Sequence, residues 1–174
     1  LQGRPYLPSD AVTPISVYGQ TKADSEEVVL RFLADRALVL RTSWVYGPVG
    51  KNFALTMLRL HEEKKEIQVV VDQVGTPTST FSLALACWRL LDLVTSDPEI
   101  AFSPIYHWSD AGVASWYDFA EAIGRQAVEL AIIKNKAKVI PIRSFEYKLE
   151  APRPSFSILD CSSACFFSIL LSVV

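Results

Sequence analysis

Apolar positions along the chain fall into short blocks that switch between helical and strand spacing. The opening stretch carries Pro5, Pro8, Ser9 and Asp10 and reads as a loop. A hydroxyl followed by proline at Thr13-Pro14 predicts a helix start, with Thr13 as N-cap and Pro14 in the first turn. That helix is expected to reach about Ala34, with Val29, Leu30 and Leu33 on its buried side. Ala37 to Thr42 (ALVLRT) has strand length and continues to Trp44-Val45-Tyr46; its lack of polar alternation predicts a strand covered on both faces, as in a parallel sheet.

Gly47-Pro48 ends this run, and Asn52 can cap a second helix with Phe53, Met57 and Leu60 on one stripe and Lys64 and Lys65 near its end. Ile67 to Val71 is a second β-rich run. Ser79 or Thr80 opens a long apolar helix through Leu93, stopped by Ser96-Asp97-Pro98. Pro104 to Trp108 is a third strand, Ser115 with Asp118 forms a capping box before Phe119, Ala120, Ile123 and Ala127, and Val139 to Ile142 is a last strand. Alternating strands and helices predict an α/β architecture.

Composition narrows the classes. At 174 residues the chain can form one domain with a core, or parts of two, and 50% hydrophobic with 21% charged residues is a globular balance. The net charge of −2, with no basic block, argues against nucleic acid or an anionic membrane as partner. Cys87, Cys161 and Cys165 make neither a disulfide framework nor a zinc-ligand spacing, so reduced thiols in a cytoplasmic protein are expected. Leu1 to Pro8 has no signal-peptide pattern. With no initiator Met, the chain is expected to be cut from a longer one.

Tyr18 and Lys22, four apart, share a helix face. A cation beside a phenol stabilises the phenolate, and such a tyrosine can protonate a carbonyl oxygen as hydride arrives at its carbon. An exposed pair without a catalytic role is the plainer reading of this spacing alone.

The surrounding order is more specific. Ser16-Val17-Tyr18-Gly19-Gln20-Thr21-Lys22 precedes Arg41-Thr42-Ser43-Trp44-Val45-Tyr46-Gly47, then Asn52-Phe53, then Asp72-Gln73-Val74-Gly75-Thr76-Pro77-Thr78. From about Gly3 to Leu159 this order resembles the dTDP-4-dehydrorhamnose reductases, extended members of the short-chain dehydrogenase/reductase family. The resemblance implies the C-terminal part of a Rossmann-like doubly wound parallel sheet plus a smaller mixed α/β substrate-binding domain. Residues 1–47 would be the remnant of the dinucleotide-binding domain, 48–160 the nucleotide-sugar region and 161–174 a divergent apolar tail.

The same resemblance implies reduction of dTDP-4-dehydro-L-rhamnose to dTDP-L-rhamnose with NADPH or NADH. Tyr18 would be the catalytic acid and Lys22 would hold the nicotinamide ribose. Ser43, Trp44 and Val45 would pass beside the cofactor, and Trp44 would offer an apolar wall to the deoxysugar. Asn52, Gln73, Gly75 and Thr76 would line the nucleotide-sugar site, and Arg153 would meet the diphosphate. Plainer readings stand beside these: Trp44 as core, Asn52 as a helix cap, Asp72-Gln73 as turn chemistry, Arg153 as a solvated loop charge. His107, Met57 and Cys87 read as structural, with Cys87 on the apolar helix face.

The chain departs from the family at both ends. It has no G-x-G-x-x-G among its seven glycines, so the pyrophosphate cradle is missing, as is the segment carrying the third catalytic hydroxyl. Cys161 to Val174 (CSSACFFSILLSVV) is too short to span a bilayer and reads as an altered terminus, or as a segment packing in place of the missing half. The 174 residues alone are therefore expected to turn over little or no substrate. Three alternatives remain: another nucleotide-sugar reductase or epimerase, a gene fragment without independent function, or a non-catalytic subunit like the methionine adenosyltransferase beta subunit. A homodimer is the expected assembly on the enzymatic reading, and a methionine adenosyltransferase catalytic subunit the partner on the regulatory one. No metal site is expected.

Overall fold

A computed structural model describes residues 3–96, 102–147 and 151–164. Its helices are α1 (Val17–Leu33), α2 (Phe53–Glu63), α3 (Thr80–Ser96) and α4 (Trp116–Glu129). Its strands are β1 (Val39–Arg41), β2 (Val45–Tyr46), β3 (Glu66–Val70), β4 (Val74–Gly75), β5 (Thr78–Ser79), β6 (Ile105–His107), β7 (Ala114–Ser115) and β8 (Lys138–Ile142). Three pairs are parallel: β1 with β6, β2 with β5, and β3 with β8; β4 pairs antiparallel with β7. Parallel neighbours joined through helices make this an α/β chain.

The main core lies between α2, α4 and the β3–β8 pair, where Met57, Ile67, Val69, Ala120, Ala137 and Val139 are buried. His61 of α2 is buried against α4, its Nε2–H donating to the Ala120 carbonyl at 2.9 Å. A Cβ on Gly124 would fall 2.6 Å from the His61 ring, so the helices approach this closely because that residue has no side chain. The predicted capping box at α4 is present, with Ser115 and Asp118 exchanging side-chain and backbone hydrogen bonds.

Several local expectations change. Helix α1 is capped by Ser16, not Thr13: Ser16 is extended (φ −142°, ψ 159°) and its Oγ accepts the Gly19 N–H at 3.1 Å, which leaves Thr13-Pro14 in the preceding segment. No residue of the helix is fully buried: Val29 and Leu33 are 37% and 41% exposed, and Leu30 is half-buried. The strand from Ala37 does not run on to Tyr46, since Trp44 takes a left-handed φ of 45° and breaks it into β1 and β2. Strand β1 is only half-buried, not covered on both faces. Cys87, expected on the apolar face of α3, is exposed there. The stop at Asp97-Pro98 and the last ten residues of the apolar tail lie outside the described residues.

Candidate functional site

Loops leaving the C-terminal ends of β1 and β6 meet the segment from β4 to β5. The Ser43 Oγ donates to the Thr76 carbonyl at 3.0 Å, and the Thr78 N–H donates to the Trp44 carbonyl at 3.1 Å. Thr76 Oγ1 donates to the Gly112 carbonyl at 3.1 Å, and the Asp110 carboxylate accepts the Ser79 N–H at 2.8 Å. The Arg41–Gly47 and Asp72–Thr78 motifs, far apart in sequence, are thus one hydrogen-bonded unit. Thr76 and Thr78 are fully buried within it.

Trp44 lies flat on Trp116, with ring centroids 3.5 Å apart and planes within 6°. Phe53 tilts against Trp116 at 4.6 Å. Gly75 backs the other part of the unit: a Cβ there would be 2.6 Å from Trp44 Cε2 and 2.6 Å from Ser157 Oγ. Val45, next in the chain, is 41% exposed. The Trp116 Nε1–H donates to Gln73 Oε1 at 3.2 Å, while Gln73 Nε2 donates to Ser144 Oγ at 3.0 Å. The Ser144 hydroxyl and N–H in turn donate to Asp72, at 2.6 and 2.9 Å, and hold its carboxyl below the usual carboxylate range.

Asn52 uses both ends of its amide internally, accepting the Leu55 N–H at 3.1 Å and donating to the Gly47 carbonyl at 2.8 Å, so it caps α2 and ties down the preceding turn. Tyr18 and Lys22 stand together on the open side of α1: Tyr18 is 73% exposed and Lys22 Nζ is 5.7 Å from its ring centroid. Arg153 is exposed on the segment before the Val74–Phe156 bridge. The structure brings Ser43, Trp44, Gln73, Gly75 and Thr76 into one cluster.

An ion pair between Glu26 and Arg41 fastens α1 to β1, and Arg41 also reaches the Pro8 carbonyl. Buried His107 has Nδ1 3.1 Å from the Tyr6 carbonyl and Nε2 3.4 Å from Arg41 Nη1. Only one tautomer satisfies both contacts: Nδ1–H donates to Tyr6 and bare Nε2 accepts from Arg41. Burial, and then the Arg41 charge, push this imidazole below its usual pKa. His107 is therefore structural, as the sequence suggested. Sequence reading had no means of finding Trp116 or Ser144, whose partners lie 43 and 71 residues away. Among the described residues, no group of three His, Cys, Asp or Glu side chains could hold a metal ion, and no helix is long and apolar enough to cross a membrane.

Parallel strands whose C-terminal loops converge on a polar and aromatic cluster define part of a doubly wound, Rossmann-like α/β protein, the class in which ligands sit at strand ends. The chain belongs to the RmlD substrate binding domain family, which it matches over residues 2–168. It is 40% identical over 158 residues to the spore coat polysaccharide biosynthesis protein SpsK of Bacillus subtilis, covering 90% of this chain and 50% of that protein. It is 36% identical to the dTDP-4-dehydrorhamnose reductase of Aggregatibacter actinomycetemcomitans, covering 89% of this chain and 52% of that one. The crystal structure of Bacillus anthracis dTDP-4-dehydrorhamnose reductase in complex with NADP matches with a TM-score of 0.72 at 33% identity, over 90% of this chain and 50% of its own. The chain spans about half the length of the curated relatives it matches.

Proposed function

We propose that this chain is the substrate side of an enzyme that reduces the 4-keto group of dTDP-4-dehydro-L-rhamnose to dTDP-L-rhamnose with a nicotinamide cofactor. The observation that carries the reading is the Tyr18–Lys22 pair, held together on the open face of α1 in a chain of this family. Tyr18 would give its proton to the keto oxygen, and Lys22 would bind the cofactor's ribose hydroxyls and hold a positive charge beside that oxygen. Ser43, Trp44 and Val45 would line the nicotinamide end, Trp44 also offering an apolar wall to the deoxysugar, with Asn52, Gly75, Thr76 and Arg153 toward the nucleotide sugar and Gln73 behind them in the same site. The bound cofactor supplies the hydride; every other contribution assigned here is one of binding, orientation or proton transfer.

A fit to such a ligand is supported at the strand ends, where the buried Thr42 Oγ1 and Trp108 Nε1 have no hydrogen-bond partner among the described residues. The cofactor's pyrophosphate has no Gly-rich turn to receive it within the 174 residues, so a preceding dinucleotide-binding half would supply that turn. Exposed Val28, Phe32, Phe81 and Trp88 on α1 and α3 are consistent with coverage by such a half. On this reading, residues 1–47 belong to the dinucleotide-binding domain, joined by β6, and 48–160 belong mainly to the sugar region. The reaction's soluble substrates would place the enzyme in the cytoplasm.

Two measurements test the reading. Mixed with NADPH and the ketosugar, the 174 residues alone should show little loss of nicotinamide absorbance; rapid oxidation would contradict the need for a second half. In a protein that joins this chain to a dinucleotide-binding half, Tyr18→Phe should lower kcat by about 10²–10⁴-fold, and an unchanged kcat would refute the assigned proton donor.

A further inference from the structure

Trp44 carries two burdens at once. Its backbone sits at a left-handed φ of 45°, a conformation costly for a bulky residue, and its indole must keep one orientation if it is to shape the sugar pocket. Something must over-determine it. One ring face is taken by Trp116, and the Trp44 carbonyl accepts the Thr78 N–H.

The orientation of Trp116 is set from behind by a chain of hydrogen bonds in which each polar atom has one role. Trp116 has only an N–H to offer, so the Gln73 atom facing it must be the amide oxygen. That leaves the Gln73 NH₂ toward Ser144 Oγ, which accepts it because the Ser144 proton is already given to Asp72. Flipping the Gln73 amide would oppose two N–H donors at Trp116. Gln73 is buried at 7% exposure, and both ends of its side chain are committed to protein partners.

We propose that Gln73 and Trp116 are positioning residues: they act on the nucleotide-sugar site by fixing the Trp44 indole, and Gln73 does not touch the ligand itself. This rests on the reading of Trp44 as part of that site. It gives the Asp-Gln pair of the Asp72–Thr78 motif a defined task, since Asp72 orients Ser144, Ser144 orients Gln73, and Gln73 orients the Trp116 ring against which Trp44 stacks.

Two indoles stacked face to face couple their excited states and give a paired positive and negative band in circular dichroism. The 174-residue chain should show this couplet, and Trp44→Phe should abolish it. Gln73→Leu removes neither chromophore, yet should reduce the couplet at least twofold and weaken binding of dTDP-L-rhamnose at least fivefold by calorimetry. A couplet unchanged in Gln73→Leu would overturn the proposal whatever the affinity does, because weaker binding alone would mean direct contact. A reduced couplet with unchanged affinity would also overturn it, by showing that ring orientation does not matter to the ligand. If Gln73→Leu melts without cooperativity, Ser144→Ala loosens the same amide from its far side and is judged by the same two readings. If the unsubstituted chain shows the couplet but does not bind dTDP-L-rhamnose, the functional reading fails, while the Gln73→Leu couplet still decides what orients Trp44.

Discussion

Replacing Gly75 with alanine tests whether the two motifs meet as closely as described. The backbone at Gly75 is not among the left-handed positions, so an alanine there meets no conformational penalty; only space opposes it. Its Cβ would lie 2.6 Å from Trp44 Cε2, 2.8 Å from Cζ2 and 2.6 Å from Ser157 Oγ. Ser157 can turn away, since its hydroxyl makes only a 3.3 Å contact to the Val74 carbonyl. Trp44 cannot, because Trp116 already lies at stacking distance on its face. Restoring ordinary carbon contact needs a shift of about 0.9 Å.

Overpacking of this kind costs about 1–3 kcal/mol, and the stiffer unfolded chain returns about 0.4–1 kcal/mol. The net expectation is a loss of about 1–2 kcal/mol, or roughly 3–6 °C in Tm for a chain of this size. Thermal melts and urea titrations of the Gly75→Ala chain measure it directly. In a Trp44→Leu background the same substitution should cost at least about 1 kcal/mol less, because the ring it strikes is gone. A Gly75→Ala protein as stable as the parent, or a penalty unchanged by Trp44→Leu, would refute the packing described.

Two further outcomes follow from buried histidines. His107 is neutral in the folded chain and its pKa is lowered, so its contribution to stability is complete above the ordinary histidine value of about 6.5 and is lost as pH falls through the depressed folded value. Urea midpoints measured downward from pH 7 should decline over that window, and His107→Gln should remove this part of the slope; a slope that persists would place the titration elsewhere. At the α2–α4 contact, Gly124→Ala should destabilise by about 1–2 kcal/mol despite alanine's higher helix propensity, because the new methyl strikes the His61 ring. A Gly124→Ala chain with a higher urea midpoint would show that the ring yields.

Most of the local chemistry was legible where the decisive contact lay within one helical turn. The caps at Asn52 and Ser115, the Tyr18–Lys22 face and the stretches forming β3, β6 and β8 depend on neighbours three or four residues away or on runs of β-rich side chains. The start of α1 was misplaced even at this range, because Ser16 is a second hydroxyl three residues after Thr13 and only the folded backbone shows which one accepts an N–H. The short strands β4, β5 and β7 carry two residues each, too few for any periodicity to mark.

What the sequence determined by itself was the set of chemical groups and their order: a tyrosine and a lysine one helical turn apart, two glycine-punctuated motifs and the α/β alternation. That set was enough to point to the family, because function keeps residue types at spacings the chain preserves. Tertiary structure alone decided which of those groups are committed to one another. Gln73 is a bracket for Trp116, Asn52 is a cap that also holds Gly47, and Trp44 bends its own strand to reach a ring 72 residues later. The reason is physical: a buried polar atom must find its partner wherever the fold brings one, and nothing at short range in the sequence encodes a bond that closes across 43 or 71 residues.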